Sequence, residues 1–199
     1  MWNIRFLVIS LLFYNKSYAE SDWPKTCPEI VTKDKWQGLP SIAVDYVIIP
    51  VTKVVIHHTV TPECSTQETC SSMVKSIQNF HMESLEFPDI GYNFLVGGDG
   101  RIYEGAGWHK VGAHTRGYNK NSLGLAFIGN FAVKRPSNII LNAAKKFLEC
   151  AVTIGELSDD YIVFGARQVS QTASPGIYLY NDLIQWPHFS RYPNTTKSA

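Results

Sequence analysis

The 199-residue sequence is 45% hydrophobic, 13% aromatic and 18% charged, with a formal net charge of +1. That length and aromatic content suit one globular domain and exclude a disordered, collagen-like or coiled-coil chain. The near-balance of charge excludes broad electrostatic attraction to nucleic acid or to an anionic lipid surface.

The first element reads as a leader. Arg5 precedes the apolar run 6–14, and Ser17-Tyr18-Ala19 places small residues after it. The run is shorter than the ~20 apolar residues that cross a bilayer, so residues 1–19 are expected to be a secretory signal and 20–199 the mature domain. Losing Arg5 and Lys16 leaves 16 basic residues against 17 acidic, a charge of about −1. No later stretch is long and apolar enough to span a membrane, so the expected location is extracellular.

In that compartment the four cysteines are expected to be bridged. Cys64 and Cys70 stand six positions apart and suit a small loop, which would leave Cys27 to pair with Cys150. Three pairings are open to the sequence, and this is the one expected. Asn194-Thr195-Thr196 is a glycosylation sequon in a polar tail.

The β-branched run 51–56 predicts a buried strand ending at His57-His58-Thr59. Met73, Ile77 and Phe80, with Cys70 a turn earlier, predict a helix over 66–84. Residues 92–96, the turn Gly97-Gly98-Asp99-Gly100 and residues 101–104 predict a hairpin. The run 123–128 predicts a central strand. Pro136-Ser137 opens a second helix with Ile140, Ala144, Phe147, Leu148 and Ala151 on one face and Gly155 at its end. A short strand at 161–164 and a last helix over 178–186 complete the chain. The expected fold class is α/β: one domain with a mixed central sheet flanked by about three helices.

His57 and His58 occupy successive strand positions, so at most one faces any one cleft. A catalytic zinc needs about three protein ligands and an open position. The other histidines, His81, His109, His114 and His188, form no H-x-x-x-H pattern, and no cysteines form C-x-x-C. Spacing alone therefore points to no metal site.

Five stretches change that weighing: Val55-Ile56-His57-His58-Thr59, Asp89-Ile90-Gly91-Tyr92-Asn93-Phe94, Tyr103-Glu104-Gly105-Ala106-Gly107-Trp108, Gly112-Ala113-His114-Thr115 and Leu125-Ala126-Phe127-Ile128-Gly129-Asn130. In this order the series resembles the peptidoglycan recognition proteins, relatives of N-acetylmuramoyl-L-alanine amidases, from about residue 28 to 190. The Cys64–Cys70 spacing also resembles that family's short disulfide loop. Catalytic members bind zinc through a histidine of His-His-Thr, a histidine in Gly-His-Arg and a cysteine in Cys-Pro-Gly. Carried over, the first ligand is His57, but the second position is Ala166 and the third is Ser174. Alanine has no donor atom and a serine hydroxyl is a poor zinc ligand, so the resemblance implies a non-catalytic member without a metal cofactor.

The same resemblance lines a glycopeptide groove with His58, Thr59, His81, Tyr92, His114 and Asn119, with Phe87 and Trp108 as apolar walls. It also implies a choice between stem peptides carrying lysine and those carrying diaminopimelate, which has an extra carboxylate. Members preferring diaminopimelate resemble Gly-Arg-Gly-Trp where this chain has Gly105-Ala106-Gly107-Trp108, and Gly-Trp where it has Glu86-Phe87. Ala106 removes the arginine and Glu86 adds a repelling carboxylate, so lysine-type peptidoglycan is the expected ligand. By similarity to the short insect forms, the expected partners are bacterial peptidoglycan and an extracellular serine-protease cascade that activates Toll. The alternative is a zinc-independent stem-peptide hydrolase using Ser174 and His57. An amidase with a reconstituted zinc site is a third reading.

Overall fold

The computed structural model describes residues 23–193, so the expected signal at 1–19 and the sequon at Asn194 lie outside the described residues. Its elements are β1 (Ile30–Val31), β2 (Val51–His58), α1 (Gln67–Asn79), β3 (Phe94–Val96), β4 (Ile102–Glu104), β5 (Leu123–Phe127), α2 (Asn138–Thr153), β6 (Leu157–Gly165) and α3 (Ile177–Leu183). They build a six-stranded sheet in the order β1-β4-β3-β5-β2-β6. Only the β3–β4 hairpin is antiparallel; the other neighbours run parallel. A mixed sheet with three helices is the architecture expected from the sequence.

The central strands explain their own apolar runs. β2 lies between β5 and β6, and β5 is buried at every position, as strands covered on both faces must be. On one face, Phe147 and Leu148 of α2 and Leu179 and Leu183 of α3 pack over Ile56, Phe94 and Leu125. On the other face, Cys70, Val74 and Ile77 of α1 cover Leu95, Tyr103 and Ala126. The rest of that second face, over β2 and β6, holds a small cluster of Val55, Phe164 and Ala166 against Tyr118 and Val169. Irregular segments cover this part, and a cleft opens there.

Several boundaries differ from the sequence expectation. Phe80 is 55% exposed, whereas His81 is buried. α1 ends at Asn79 and continues as a π-helical turn, Phe80–Ser84. Its inward line is Cys70, Val74, Ile77 and His81, with Gln78 beside it, because both polar side chains find partners inside. β6 begins at Leu157, earlier than its apolar core suggests, because the polar residues 158–160 lie along a partly exposed edge. α3 stops at Leu183, although Trp186 one turn later is still buried. The two-residue β1 carries too little pattern to be read from sequence. Cys27 is bonded to Cys150, tying the arm to α2, and Cys64 to Cys70, closing the loop before α1.

The buried Asp89 carboxylate joins four parts of the chain. One oxygen accepts hydrogen bonds from Lys33 Nζ in the arm and Ser41 Oγ beyond it. The other accepts from Gln78 Nε2 of α1 at 2.8 Å and from the Ile90 amide at 2.7 Å. Gln78 in turn brackets Leu39, donating to its carbonyl at 2.9 Å and accepting from its amide at 2.7 Å. Removing the acceptor strands several donors and one cation, so Asp89→Ala is expected to cost about 3 kcal/mol of unfolding free energy in urea titration.

Candidate functional site

His57 stands at the end of β2, opposite Ala126 of β5. In the parallel β2–β6 ladder Ile56 pairs with Gly165, so the next step sets His57 beside Ala166, the first residue of the short 3-10 turn Ala166–Gln168. The site therefore lies at the carboxyl ends of parallel strands, the position where open α/β sheets bind ligands. His57, His58, Thr59, Tyr92, His114, Ala166, Thr172 and Ser174 border one cleft of about 350 Å³.

Aromatic rings form a row along it. His57 lies 5.4 Å from both Tyr92 and His114, Tyr92 lies 5.4 Å from His81, and His81 lies 5.6 Å from Phe87. Backbone and hydroxyl groups fix the imidazoles. The Gly91 amide donates to His81 Nδ1 at 2.9 Å. Thr115 Oγ1 bridges His57 Nε2 at 3.0 Å and His114 Nδ1 at 3.1 Å. Asn119 Oδ1 accepts from the Thr115 amide at 2.7 Å, so it holds the loop that carries this bridge. Thr59 Oγ1 accepts from the Gly129 amide at 3.0 Å and shares a 2.7 Å bond with Thr61.

Other expected residues are placed differently. His58 borders the cleft, but its Nδ1 accepts from the Phe131 amide at 3.1 Å, so that nitrogen is committed to the protein. Trp108 is a correction: its ring lies 4.3 Å from Phe94 and stacks on Phe147 of α2 at 5.3 Å. It is partly buried and packs against the core on the opposite face of the sheet, where Phe147 and Phe94 offer it an apolar socket. Glu86 is exposed, with a positive φ of 56°. Ala106 is buried and lines a second depression of about 180 Å³ with Asp45, Ile90, Lys110 and Ala113. Two contributors escaped sequence reading. Asp45 comes from a segment far off in sequence, and Thr115 has a bridging role that no spacing signals.

A family model described as N-acetylmuramoyl-L-alanine amidase matches residues 49–177. Peptidoglycan-recognition protein 1 of Holotrichia diomphalia is 47% identical over 192 residues, covering 96% of this chain and 98% of its own. Peptidoglycan-recognition protein SA of Drosophila melanogaster is 46% identical over 190 residues, covering 96% and 94%.

The chain belongs to the peptidoglycan recognition protein family.

Solved structures agree. Drosophila PGRP-SA superposes with a TM-score of 0.81 at 50% identity, covering 82% of this chain and 95% of that one. The ectodomain complex of PGRP-LCa and PGRP-LCx bound to tracheal cytotoxin reaches 0.81 at 44% identity, covering 82% and 99%.

The resemblance would place a zinc ion at His57, Ala166 and Ser174, and the side chains at these positions do not fit one. Ala166 offers no donor atom. Ser174 Oγ accepts from the His58 amide at 3.1 Å, and His57 Nε2 is paired with Thr115. Among the described residues no three His, Cys, Asp or Glu side chains are grouped to hold a metal ion.

The site is electrically quiet. Burial holds His57 well below the ordinary imidazole pKa of 6.5, and the neighbouring His114 and His58 add to the effect. Burial carries His114 down to about 3, opposed in part by the nearby Ser122 backbone. Burial also lowers His58 and His81 and raises Tyr92 to about 12. These imidazoles are neutral in the fold, whereas unfolded ones take up a proton near pH 6.5. Their contribution to stability is therefore present above about pH 6.5 and lost as the pH falls through their lowered values, about 3 for His114. Unfolding free energy measured in urea is expected to fall from pH 7.5 to pH 5, by up to about 1.4 kcal/mol per pH unit for His114, and His114→Gln should flatten that slope.

Gly124 lies directly under His114: a Cβ there would sit 2.4 Å from its Cδ2. Gly124→Ala is expected to displace the ring and cost about 1–3 kcal/mol in the same measurement.

Proposed function

We propose that this protein is a secreted receptor that binds bacterial peptidoglycan in the His57 cleft without cleaving it. The observation that carries the reading is the contrast within one cleft. A row of neutral rings and hydroxyls that can hold a glycopeptide is assembled, while the position that the resemblance gives to a zinc ligand is Ala166, which has no donor atom. Neutral imidazoles and hydroxyls both donate and accept hydrogen bonds, which suits a ligand rich in amides and sugar hydroxyls. The solved complex of relatives with tracheal cytotoxin supports the ligand class. Resemblance to the short insect forms supports an extracellular serine-protease cascade leading to Toll as the onward partner.

Lysine-type stem peptides are the preferred ligand in this reading. Asp45 borders the Ala106 depression, and Glu86 is exposed on the preceding loop. Both carboxylates would attract an ammonium and repel the extra carboxylate of diaminopimelate. Lys110 borders the same depression, so the preference rests on the missing planar guanidinium at position 106, which could pair bidentately with a carboxylate, and not on a lack of positive charge.

Retention on the two purified peptidoglycans tests this. Tighter binding to lysine-type material is expected, with Ala106→Arg shifting the ratio toward diaminopimelate-type; tighter wild-type binding to the diaminopimelate form overturns the preference. Tyr92→Ala is expected to weaken retention of either material at least about tenfold, by removing the ring between His57 and His81. No muropeptide fragment should be released by wild type or by Ser174→Ala. Release that depends on Ser174 would favour the stem-peptide hydrolase, whose Ser174 and His57 border the same cleft. Stoichiometric zinc together with lactyl-amide cleavage would restore the amidase.

A further inference from the structure

A neutral imidazole carries one N–H and one bare nitrogen, and the bond made by one nitrogen decides what the other offers. Backbone amides decide two rings of the site. The Gly91 amide donates to His81 Nδ1 and the Phe131 amide to His58 Nδ1, so both of these nitrogens are bare. The proton of each ring therefore sits on Nε2, and each ring presents a donor.

His57 is decided through a hydroxyl. Its Nε2 and the Nδ1 of His114 lie 3.0 and 3.1 Å from one oxygen, Thr115 Oγ1. A hydroxyl has one proton, so it donates to one ring and accepts from the other. In the first arrangement His57 Nε2–H donates to Thr115, whose hydroxyl donates to His114 Nδ1. In the second the hydroxyl donates to His57 Nε2 and accepts from His114 Nδ1–H. The first leaves both rings protonated on Nε2, and the second leaves both protonated on Nδ1.

The first arrangement is the more stable. In water a free neutral histidine ring favours the proton on Nε2, and the second arrangement puts two rings in the other form. His114 Nε2 is also buried without a hydrogen-bond partner. Close to this ring, though not aligned to bond it, the Ser122 backbone favours a proton there. With Nδ1 turned to Thr115, Nε2 is the nitrogen left to carry it. Thr115 is only 3% exposed and Asn119 holds its amide, so water does not take the hydroxyl's place.

His114 Nε2 alone is both buried and unpartnered among the described residues. His57 Nδ1 bonds no described group, so it is open to the cleft that His57 borders. We propose that Thr115 is a positioning residue that holds the His57 proton on Nε2, making His57 Nδ1 a fixed acceptor for an amide N–H of the bound stem peptide. The identity of that donor rests on the reading of the cleft as a peptidoglycan site. His58 and His81, as fixed donors, suit carbonyl oxygens of the same ligand.

Long-range proton–nitrogen NMR of the histidine rings in the free protein tests the lock without any ligand. His57, His58, His81 and His114 are all expected with the proton on Nε2. Thr115→Ser keeps the hydroxyl and should keep that spectrum. Thr115→Val should move the His57 proton to Nδ1 in a measurable fraction, because Nε2–H loses its acceptor while Nδ1–H can reach water. His57 or His114 protonated on Nδ1 in wild type, or an unchanged His57 signal in Thr115→Val, would overturn the proposal.

Calorimetry reads the consequence, using a soluble muramyl tripeptide and analogues in which each amide in turn is an ester. Thr115→Val should weaken binding about tenfold and Thr115→Ser less than about threefold. One ester should cost wild type about tenfold and cost Thr115→Val much less, since the two changes remove the same bond. Equal losses in the serine and valine substitutions, or no ester that weakens binding, would also overturn it. A wild type that binds no muramyl peptide overturns the reading of the cleft, and the ring spectrum still decides the lock.

Discussion

The Asp89 carboxylate is the constraint on which the wall of the cleft depends. Its four donors come from the arm, Ser41, α1 and its own following amide. Ile90, Gly91 and Tyr92 follow it directly, so the anchor sets where the Tyr92 ring enters the cleft. The Gly91 amide, two residues on, orients His81. Ser41 and the Gln78 contact with Leu39 hold the segment that leads from the arm to β2. Cleft wall and segment are thus positioned by one buried charge with four donors in the protein. Such a group is costly to disturb and rigid when satisfied.

Neutrality follows from the same construction. Burial disfavours charged imidazole, and for His57 the facing histidines disfavour it further, so the imidazoles of the cleft carry no charge. A ligand held there is read by shape and by the direction of hydrogen bonds. Affinity from many such contacts is less sensitive to salt than affinity from ion pairing, because screening acts on charges. A near-neutral domain is consistent with this mode of recognition, whereas a wall-binding protein that relied on general attraction to anionic polymer would need a strong basic excess.

The sequence was most legible where periodicity and burial agree. β2, β5, the hairpin and the apolar face of α2 carry patterns that local sterics and water enforce, and all stand where the pattern put them. It misled where tertiary partners overruled polarity. His81 and Gln78 displaced Phe80 from the inward side of the first helix because buried amides and a carboxylate awaited them. Trp108 could serve a groove or a core equally well by composition, and only the socket of Phe94 and Phe147 decided. Asp45 and Thr115 were invisible because their roles exist only after distant segments meet. The family motifs located His57, Ala166 and Ser174 together, a grouping that no periodicity could have supplied.

That grouping does not depend on a metal to hold its shape. The Arg167 amide donates to the Ser174 carbonyl at 2.8 Å, the His58 amide to Ser174 Oγ, and the Ser174 amide to Thr172 Oγ1 at 3.1 Å. The strand end, the 3-10 turn and the 170–174 loop are therefore stitched together by hydrogen bonds of the protein itself. Serine serves this arrangement better than cysteine, since a hydroxyl is the stronger acceptor for a backbone amide. Where the resemblance implies a thiolate, a hydroxyl would bind zinc poorly, and here it accepts a bond that keeps the cleft wall in position. On this account the same two positions that argue against amidase chemistry also explain how the cleft can keep its shape without it.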